Sequence, residues 1–553
     1  MGGPLSRTAC PARSRSDLPA TRDDLGGRGV GVITDTRQLC QSGGAWPNAP
    51  WHDVGVSEEQ HQAEHRGRPS NDEFLAFIAA DWAPRPTDKP ARAEAASYAA
   101  ARRAAVSAAF PGERLVIPAG GLKVRSNDCD YIFRPHSAFA HLTGLGSDRE
   151  PDAVLVLEPR QDGTHESILY FRPLAGRDTE EFFGDSRYGE FWVGPRPGLA
   201  EIEAELALSA RHIDELAENM GKDVGTTAVR IVRDADRDVT AAVDTIREDA
   251  APQGGESTDV QDDDELAHFL STLRMVKDPW EIGQMRDAIE ATANGFDAVV
   301  ADLPEALRRG RGERWVEGVF GLHARHQGNG IGYDSICAAG DHANTLHWIK
   351  NTGEIISGDL LLLDAGVEVD SLFTADITRT LPASGRFSDA QRKVYDAVYA
   401  AQEAGIAAVR PGAKFSDVHD AAIRVIAEHL YAWGLLPEGI DVEATLDKEH
   451  GHFHRRWMVH GTSHHLGMDV HDCALASRQE YMGAELTPGM ILTVEPGLYF
   501  KADDLLVPDE LRGIGVRIED DILVTSSGAE NLSAAMARTS SDVEAWIARI
   551  QKS

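Results

Sequence analysis

Four carboxylates constrain the last third of this chain more than any other feature, because each stands against a run of apolar, strand-forming residues where an unpaired charge is costly. Asp364 follows Leu360-Leu361-Leu362-Leu363 and precedes Ala365-Gly366, marking the end of a buried strand that runs into a turn. Asp376 lies in Thr374-Ala375-Asp376-Ile377-Thr378-Arg379-Thr380, a β-branched, alternating stretch. The two read as arms of a hairpin that sets their carboxylates side by side, although parity across a turn does not fix which face each occupies. Glu495 ends Met490-Ile491-Leu492-Thr493-Val494, before the breaker pair Pro496-Gly497. Glu519 falls within Gly515–Val524, read as one strand on which Arg517 and Glu519 share a face.

Histidines complete the set. The segment from Val459 to His471 carries His460, His464, His465 and His471, and Gly461 and Gly467 argue against one continuous helix there. One neutral imidazole, His464, with Asp364, Asp376, Glu495 and Glu519 makes a hard, oxygen-rich ligand set that suits Mn²⁺, Co²⁺ or Fe²⁺ better than a thiolate zinc site. Two divalent ions close together would share the carboxylates and activate a bridging water, the two-metal arrangement used for hydrolysis.

The ordered motifs Asp364-Ala365-Gly366, Asp376-Ile377-Thr378-Arg379-Thr380, His460-Gly461-Thr462-Ser463-His464, Val494-Glu495-Pro496-Gly497 and Arg517-Ile518-Glu519-Asp520 resemble those of the pita-bread metallopeptidases, and most of all the Xaa-Pro aminopeptidases (aminopeptidase P). The stretch Phe133-Arg134-Pro135-His136-Ser137-Ala138-Phe139-Ala140-His141-Leu142-Thr143-Gly144 resembles the signature of that family's N-terminal domain. The resemblance implies an α/β (α+β) protein with an N-terminal creatinase/aminopeptidase P-like domain and a C-terminal pita-bread catalytic domain. It implies release of the first residue from peptides with proline in the second position, by a hydroxide held between two metal ions. Mn²⁺ is the expected metal, with Co²⁺, Fe²⁺ or Zn²⁺ as alternatives.

The same resemblance assigns roles to residues around the ligands. Glu495 is the implied general base, or a ligand alone. His471 and His347 correspond to positions that meet the scissile carbonyl or shuttle a proton, and Tyr333, His460 and Arg517 to the lining of the proline pocket. Arg517 reads equally well as the ion-pair partner of Glu519 or Asp520. Tyr499 borders the site, and His465 is structural. The Asp364-to-Asp376 turn is slightly longer than the family pattern, and Val369-Asp370-Ser371-Leu372 lacks the glycine often found there. Alternative readings are a dipeptidase for Xaa-Pro (prolidase), a non-catalytic peptide- or histone-binding module and, less well fitted, a methionine aminopeptidase. Relatives form dimers or tetramers, so a homo-oligomer is expected.

Composition excludes other classes. The formal net charge of −34 leaves no basic stripe for nucleic acid or an anionic membrane surface. Five dispersed cysteines without CxxC spacing fit a reducing cytoplasm, and no apolar run is long enough to span a bilayer. The arginines near the start are not followed by the apolar segment of a secretory signal.

Along the chain, residues 1–70 read as a disordered tail, or as a stretch upstream of the true start. Residues 71–250 read as the N-terminal domain, 251–264 as a linker and 265–553 as the catalytic domain. Helices are expected over Asp72–Ile78, Ala91–Phe110, Leu199–Leu208, Ala210–Asn219, Ala390–Val409 and Ser416–Trp433, and as a pair over Glu265–Leu303 broken at Asp278-Pro279. Strands are expected at Arg114–Gly121, Ala153–Leu157 and Ser167–Phe171.

Overall fold

The computed structural model describes residues 71–552 apart from Thr87, Val224 and 251–258, so the expected tail lies outside the described residues. Helix α1 (Asp72–Ala79) starts where Asn71 accepts from the Phe74 N–H at 2.8 Å. The Ala-rich run forms α2 (Ala95–Ala109), and Arg114 opens strand β1 (Arg114–Pro118). Then follow α3 (Ser137–Thr143), β2 (Val154–Pro159), β3 (His165–Phe171), α4 (Leu199–Leu206), β4 (Ser209–His212), β5 (Val229–Ile231) and α5 (Arg237–Ala250). The strands form one mixed sheet in the order β4-β3-β2-β1-β5, with antiparallel inner pairs and parallel outer ones. Alternate residues Leu115, Ile117, Leu155, Leu157, Leu169 and Phe171 share its core with Phe139 and Leu142 of α3.

Two expectations fail here for physical reasons. The helix expected over Ala210–Asn219 is instead β4, a 3₁₀ turn at Ile213–Glu215 and a short helix, Leu216–Met220. Ala207 adopts a left-handed φ of 54° that ends α4, and the chain then pairs in parallel with Ile168–Phe171 at the sheet edge. The polar stretch read as linker to Asp264 is helical from Val260, opening α6 (Val260–Leu273). Asp259 caps it, accepting from the Gln261 and Asp262 N–H groups at 2.8 and 3.3 Å, and acidic residues in a first helical turn favour the helix dipole.

The break at Asp278-Pro279 is a helix start as expected. Asp278 accepts from the Trp280 and Glu281 N–H groups at 3.0 Å, Glu281 accepts from the Asp278 N–H at 2.8 Å, and Pro279 opens α7 (Pro279–Ala306). The rest of the catalytic half comprises α8 (Gly312–Gln327), β6 (Ile336–Ala339), β7 (Leu360–Ala365), β8 (Ile377–Pro382), α9 (Asp389–Ala408), α10 (Phe415–Ala432), β9 (Ile491–Val494), β10 (Gly497–Phe500), β11 (Ile514–Arg517), β12 (Asp520–Thr525), β13 (Gly528–Asn531) and α11 (Ser540–Ile550). Its sheets run β8-β7-β6, β9-β12-β13 and β10-β11, with α9 packed against the last two and α10 packed on α9.

The single strand expected over Gly515–Val524 is two, β11 and β12, paired into different sheets. Opposite this break the companion strand is also interrupted, between β9 and β10, at Glu495-Pro496. Proline cannot donate to a ladder, so the double-stranded ribbon bends there, and Glu495 and Glu519 both sit at the bend.

The two halves are locked by a largely buried network. Arg102 of α2 donates to Asp278 Oδ2 at 3.0 Å (Nε) and 2.6 Å (Nη2) and to the His141 carbonyl at 3.0 Å, while His141 Nε2 lies 3.1 Å from Glu281 Oε1. Asp278→Ala removes both a helix cap and an ion pair, and should lower stability by about 2 kcal/mol in thermal or urea unfolding. An unchanged unfolding midpoint would contradict this.

Candidate metal centre

In the β7/β8 ladder Asp364 stands opposite Thr378, so Asp376, two residues before Thr378, falls diagonally beside Asp364 on the same face. This settles the parity that the hairpin left open. The arms approach so closely that a Cβ on Gly366 would sit 1.7 Å from the Ala375 carbonyl oxygen, which only glycine permits. The longer turn closes with Leu372 at a left-handed φ of 74°, its side chain wholly buried.

Glu519 arrives from the bend between β11 and β12. Its N–H donates to the Thr378 carbonyl at 3.1 Å, and the Thr378 hydroxyl donates to its Oε2 at 2.6 Å. His464 arrives from a segment lying along β9: Thr493 N–H donates to the His464 carbonyl at 3.0 Å, and Glu495 N–H to the Thr462 carbonyl at 2.9 Å. His464 Nε2 thereby lies 3.2 Å from Asp376 Oδ2 and 3.8 Å from Glu495 Oε1. Ligand atoms of Asp376, His464 and Glu519 all fall within 4.8 Å of one another, forming a candidate metal-binding cluster. Tyr333 Oη lies 2.7 Å from Asp364 Oδ1 and 2.5 Å from Asp376 Oδ1, one hydroxyl proton serving two carboxylates.

The electrostatics follow from burial. Burial lifts the Asp364 carboxyl, with Arg517 opposing and Asp376 adding to the rise. Glu495 is pushed up to about 7, chiefly by burial. Glu519 is raised well above the usual range by burial and then by the charges of Asp376, Glu495 and Asp364. Burial opposes a charge on His464, but the Asp376 hydrogen bond and the Asp376 and Glu495 charges outweigh it and lift the imidazole to about 9. The rise of Asp364, Glu495 and Glu519 marks a site short of positive charge, and these three carboxylates with Asp376 and one imidazole match the donors a hard divalent cation takes.

Arg517 has Asp364 as its ion-pair partner, not Glu519 or Asp520. Its Nη2 pairs with Asp364, its Nε donates to Thr378 Oγ1 at 3.2 Å and its Nη1 to Tyr499 Oη at 3.2 Å. Asp520 pairs instead with Arg379 at 2.7 Å, both wholly buried. Tyr499 Oη continues to His460 Nε2 at 2.7 Å, and His460 Nδ1 lies 2.6 Å from the Gly461 carbonyl and 3.6 Å from Glu495 Oε2. Burial, with Arg517 next, presses the His460 pKa to about 3, so the ring is neutral and a Tyr499-to-His460-to-Gly461 relay of donors is self-consistent.

His471 presents its ring edge-on to His464, centroids 4.6 Å apart. His347 is exposed, and after burial and nearer charges it helps to lower the pKa of both His460 and His471. His465 turns away and stacks on Phe415 at 4.9 Å.

Sequence reasoning missed three residues. Thr378 holds Glu519, as its place two residues from Asp376 on one strand face allowed. Asp521 accepts from the Asp376 N–H at 3.2 Å, and its Oδ1 is buried without a partner. Glu313 is wholly buried and accepts from the Ala339 N–H at 2.9 Å, the Gly353 N–H at 2.5 Å and Trp348 Nε1 at 2.9 Å, with His342 Nδ1 at 2.7 Å. It closes both ends of the loop that carries His347. The signal was present: Glu313 lies in line with the buried stripe Val316, Phe320 and Ala324 of α8.

Two family profiles match the chain: Metallopeptidase family M24 over residues 283–526, and Aminopeptidase P, N-terminal domain, over residues 99–231. Xaa-Pro aminopeptidase 1 of Streptomyces coelicolor is 51% identical over 481 residues, covering 87% of this chain and 93% of its own. Xaa-Pro aminopeptidase of Escherichia coli is 33% identical over 458 residues, covering 82% and 97%. A low-pH form of aminopeptidase P from E. coli superposes with a TM-score of 0.72 at 31% identity, over 83% of this chain and 99% of that one. Pseudomonas aeruginosa aminopeptidase PepP gives 0.70 at 30% identity, over 83% and 99%. The chain belongs to metallopeptidase family M24, as close kin of the Xaa-Pro aminopeptidases. Its architecture is the two-domain one of aminopeptidase P, an α/β N-terminal domain followed by a pita-bread catalytic domain.

Two outcomes follow from this geometry. If Glu495, His464 and Glu519 bind a divalent metal, their protons must leave first, so apparent Mn²⁺ affinity should rise as pH passes through about 7 to about 9, with proton release visible by calorimetry in buffers of different ionisation heat. Affinity independent of pH would contradict the arrangement. Glu313→Ala strands several buried donors and should destabilise by about 3 kcal/mol or more; a loss under about 1 kcal/mol would not fit.

Proposed function

We propose that this protein is a metal-dependent aminopeptidase that releases the first residue of Xaa-Pro-Yaa peptides, with Asp364, Asp376, His464, Glu495 and Glu519 holding two divalent ions, Mn²⁺ first among them. The observation that carries this is the cluster of Asp376, His464 and Glu519 ligand atoms within 4.8 Å, surrounded by mutually repelling buried carboxylates in a chain of this family. When bound, the ions would supply an activated water and polarise the scissile carbonyl.

The chain's own groups divide the remaining work. Glu495, with its carboxylate 3.6 Å from His460 Nδ1 and 3.8 Å from His464 Nε2, is positioned to take the proton of the attacking water and pass it toward the leaving proline nitrogen. His471 and His347, on the open side, hold the carbonyl oxygen as it gains charge. A proline after the scissile bond gives an amide without an N–H, so its recognition rests on ring shape. Tyr333, His460 and Arg517 form the wall for that ring, braced by the contacts of Arg517 and His460 with Tyr499 Oη at 3.2 and 2.7 Å.

No described helix is long and apolar enough to cross a membrane. A cytoplasmic place fits Cys129, Cys337 and Cys473, all free thiols. A homodimer or homotetramer fits the exposed aromatic group on the N-terminal domain, where Trp82 packs edge-on to Phe191 at 5.9 Å beside exposed Trp192 and Val193.

Purified protein, stripped of metal and resupplied with Mn²⁺, Co²⁺ or Zn²⁺, should release the first residue of an Xaa-Pro-Yaa tripeptide. Preference for an Xaa-Pro dipeptide would make it a dipeptidase, and no cleavage with metal bound would favour a binding module. Asp376→Ala should lower both metal content and turnover, the latter by at least about a hundredfold. Normal turnover with unchanged metal content would contradict the ligand set.

A further inference from the structure

We propose that Arg134 and Ser137 of the N-terminal domain are positioning residues for His471: they grip Asp469 and so fix the turn from which His471 faces the metal centre, a role resting on the peptidase reading above. The motif at 133–144 takes no part in the metal chemistry, yet its polar side chains reach across to the catalytic half. Arg134 Nε donates to Glu368 Oε2 at 2.9 Å, and its Nη2 donates to the Met468 carbonyl at 2.7 Å and to Asp469 Oδ1 at 3.2 Å. The buried Ser137 hydroxyl donates to that same Asp469 Oδ1 at 2.7 Å.

The far side of the turn is held as firmly. Arg274 Nε donates to Asp472 Oδ1 at 3.0 Å and its Nη2 lies 3.6 Å from Asp469 Oδ2, while Lys277 Nζ lies 3.4 Å from Asp472 Oδ2. The Asp472 N–H donates to the His465 carbonyl at 3.0 Å. His471 therefore sits in the gap between two anchored aspartates. Its own ring is exposed and, among the described residues, has no hydrogen-bond partner, so the backbone on either side sets where it points.

Simple gluing of the domains does not explain this group. That task already falls to the Arg102, His141, Asp278 and Glu281 network, in which only Asp278 is part-exposed, whereas Arg134 and Asp469 are 36% and 35% exposed. Glu368, the other carboxylate Arg134 holds, lies in the hairpin that joins Asp364 to Asp376. The backbone of the N-terminal domain rests on the same hairpin, with Ser147 N–H donating to the Asp370 carbonyl at 3.0 Å. One planar guanidinium thus ties the His471 turn to the arm that carries the ligands. A lysine lacks the fork to do so.

The test uses the full-length, metal-loaded protein as Arg134→Ala, Arg134→Lys and Ser137→Ala, each alone and with His471→Ala, with metal content and thermal midpoint checked. On an Xaa-Pro-Yaa tripeptide, Arg134→Ala should lower kcat about tenfold with KM moved less than about threefold, Ser137→Ala should cost about threefold, and Arg134→Lys should fall between wild type and Arg134→Ala. In the His471→Ala background the further loss from Arg134→Ala should shrink to under about twofold. Equal losses in both backgrounds, or none in the first, would overturn the proposal. Hydrogen exchange read by mass spectrometry over residues 466–473 decides independently of turnover: faster exchange in Arg134→Ala supports the clamp, and unchanged exchange overturns it. Wild-type protein that cleaves nothing with any metal would defeat the peptidase reading instead. Ser137→Ala and Arg134→Lys carry the same comparison should Arg134→Ala fail to fold.

Discussion

The catalytic half is built around a charge imbalance that folding alone does not relieve. Asp364, Asp376, Glu495 and Glu519 are drawn into one largely buried space, where, among the described residues, the positive charges that touch them are Arg517 on Asp364 and His464 on Asp376 and Glu495. Arg379, the other buried cation nearby, is already matched to Asp520. The protein meets part of the cost by lifting carboxyl pKa values and holding a proton on His464, and a fold that accepts this must gain elsewhere. The gain comes from the large apolar core beneath, where Leu361 and Leu363 of β7 are wholly buried beside Val394 and Val398 of α9.

The bend in the ribbon is what lets two sheets deliver their acids to one place. A straight ladder from Met490 to Phe500 would have placed Glu495 by its parity alone and left the side of Glu519 to chance. Pro496 interrupts the pairing, the opposite strand yields at Ile518-Glu519, and the sheets diverge from that point with both glutamates on the hinge. Thr378 and Thr380 then stitch the hairpin to the bend, Thr380 Oγ1 donating to the Arg517 carbonyl at 2.9 Å.

How much of this could be read from the chain divides along the range of the interaction. Asp364, Asp376 and Glu495 were legible because each interrupts an apolar strand locally, and Asp278-Pro279 because capping is written in four consecutive residues. The split of Gly515–Val524 was not legible, since its apolar residues mostly alternate with charged ones and the proline that divides it, Pro496, stands across the ribbon. The strand at Ser209–His212 was lost to the same cause: its helical composition is overridden by a sheet edge formed more than thirty residues earlier, at Ile168–Phe171. The partner of Arg517 was misjudged because its sequence neighbours Glu519 and Asp520 are close in the chain, while Asp364 is close in space. Acidic composition hid the start of α6, where the aspartates act as cap and first turn rather than as linker.

Whether these five side chains together hold two divalent ions is decided by anomalous diffraction at the manganese edge from crystals grown with Mn²⁺. Two peaks about 3.5–4 Å apart, set among Asp364, Asp376, Glu495 and Glu519 with His464 on one of them, are expected. A single peak there, or manganese bound elsewhere with this cluster empty, would contradict it.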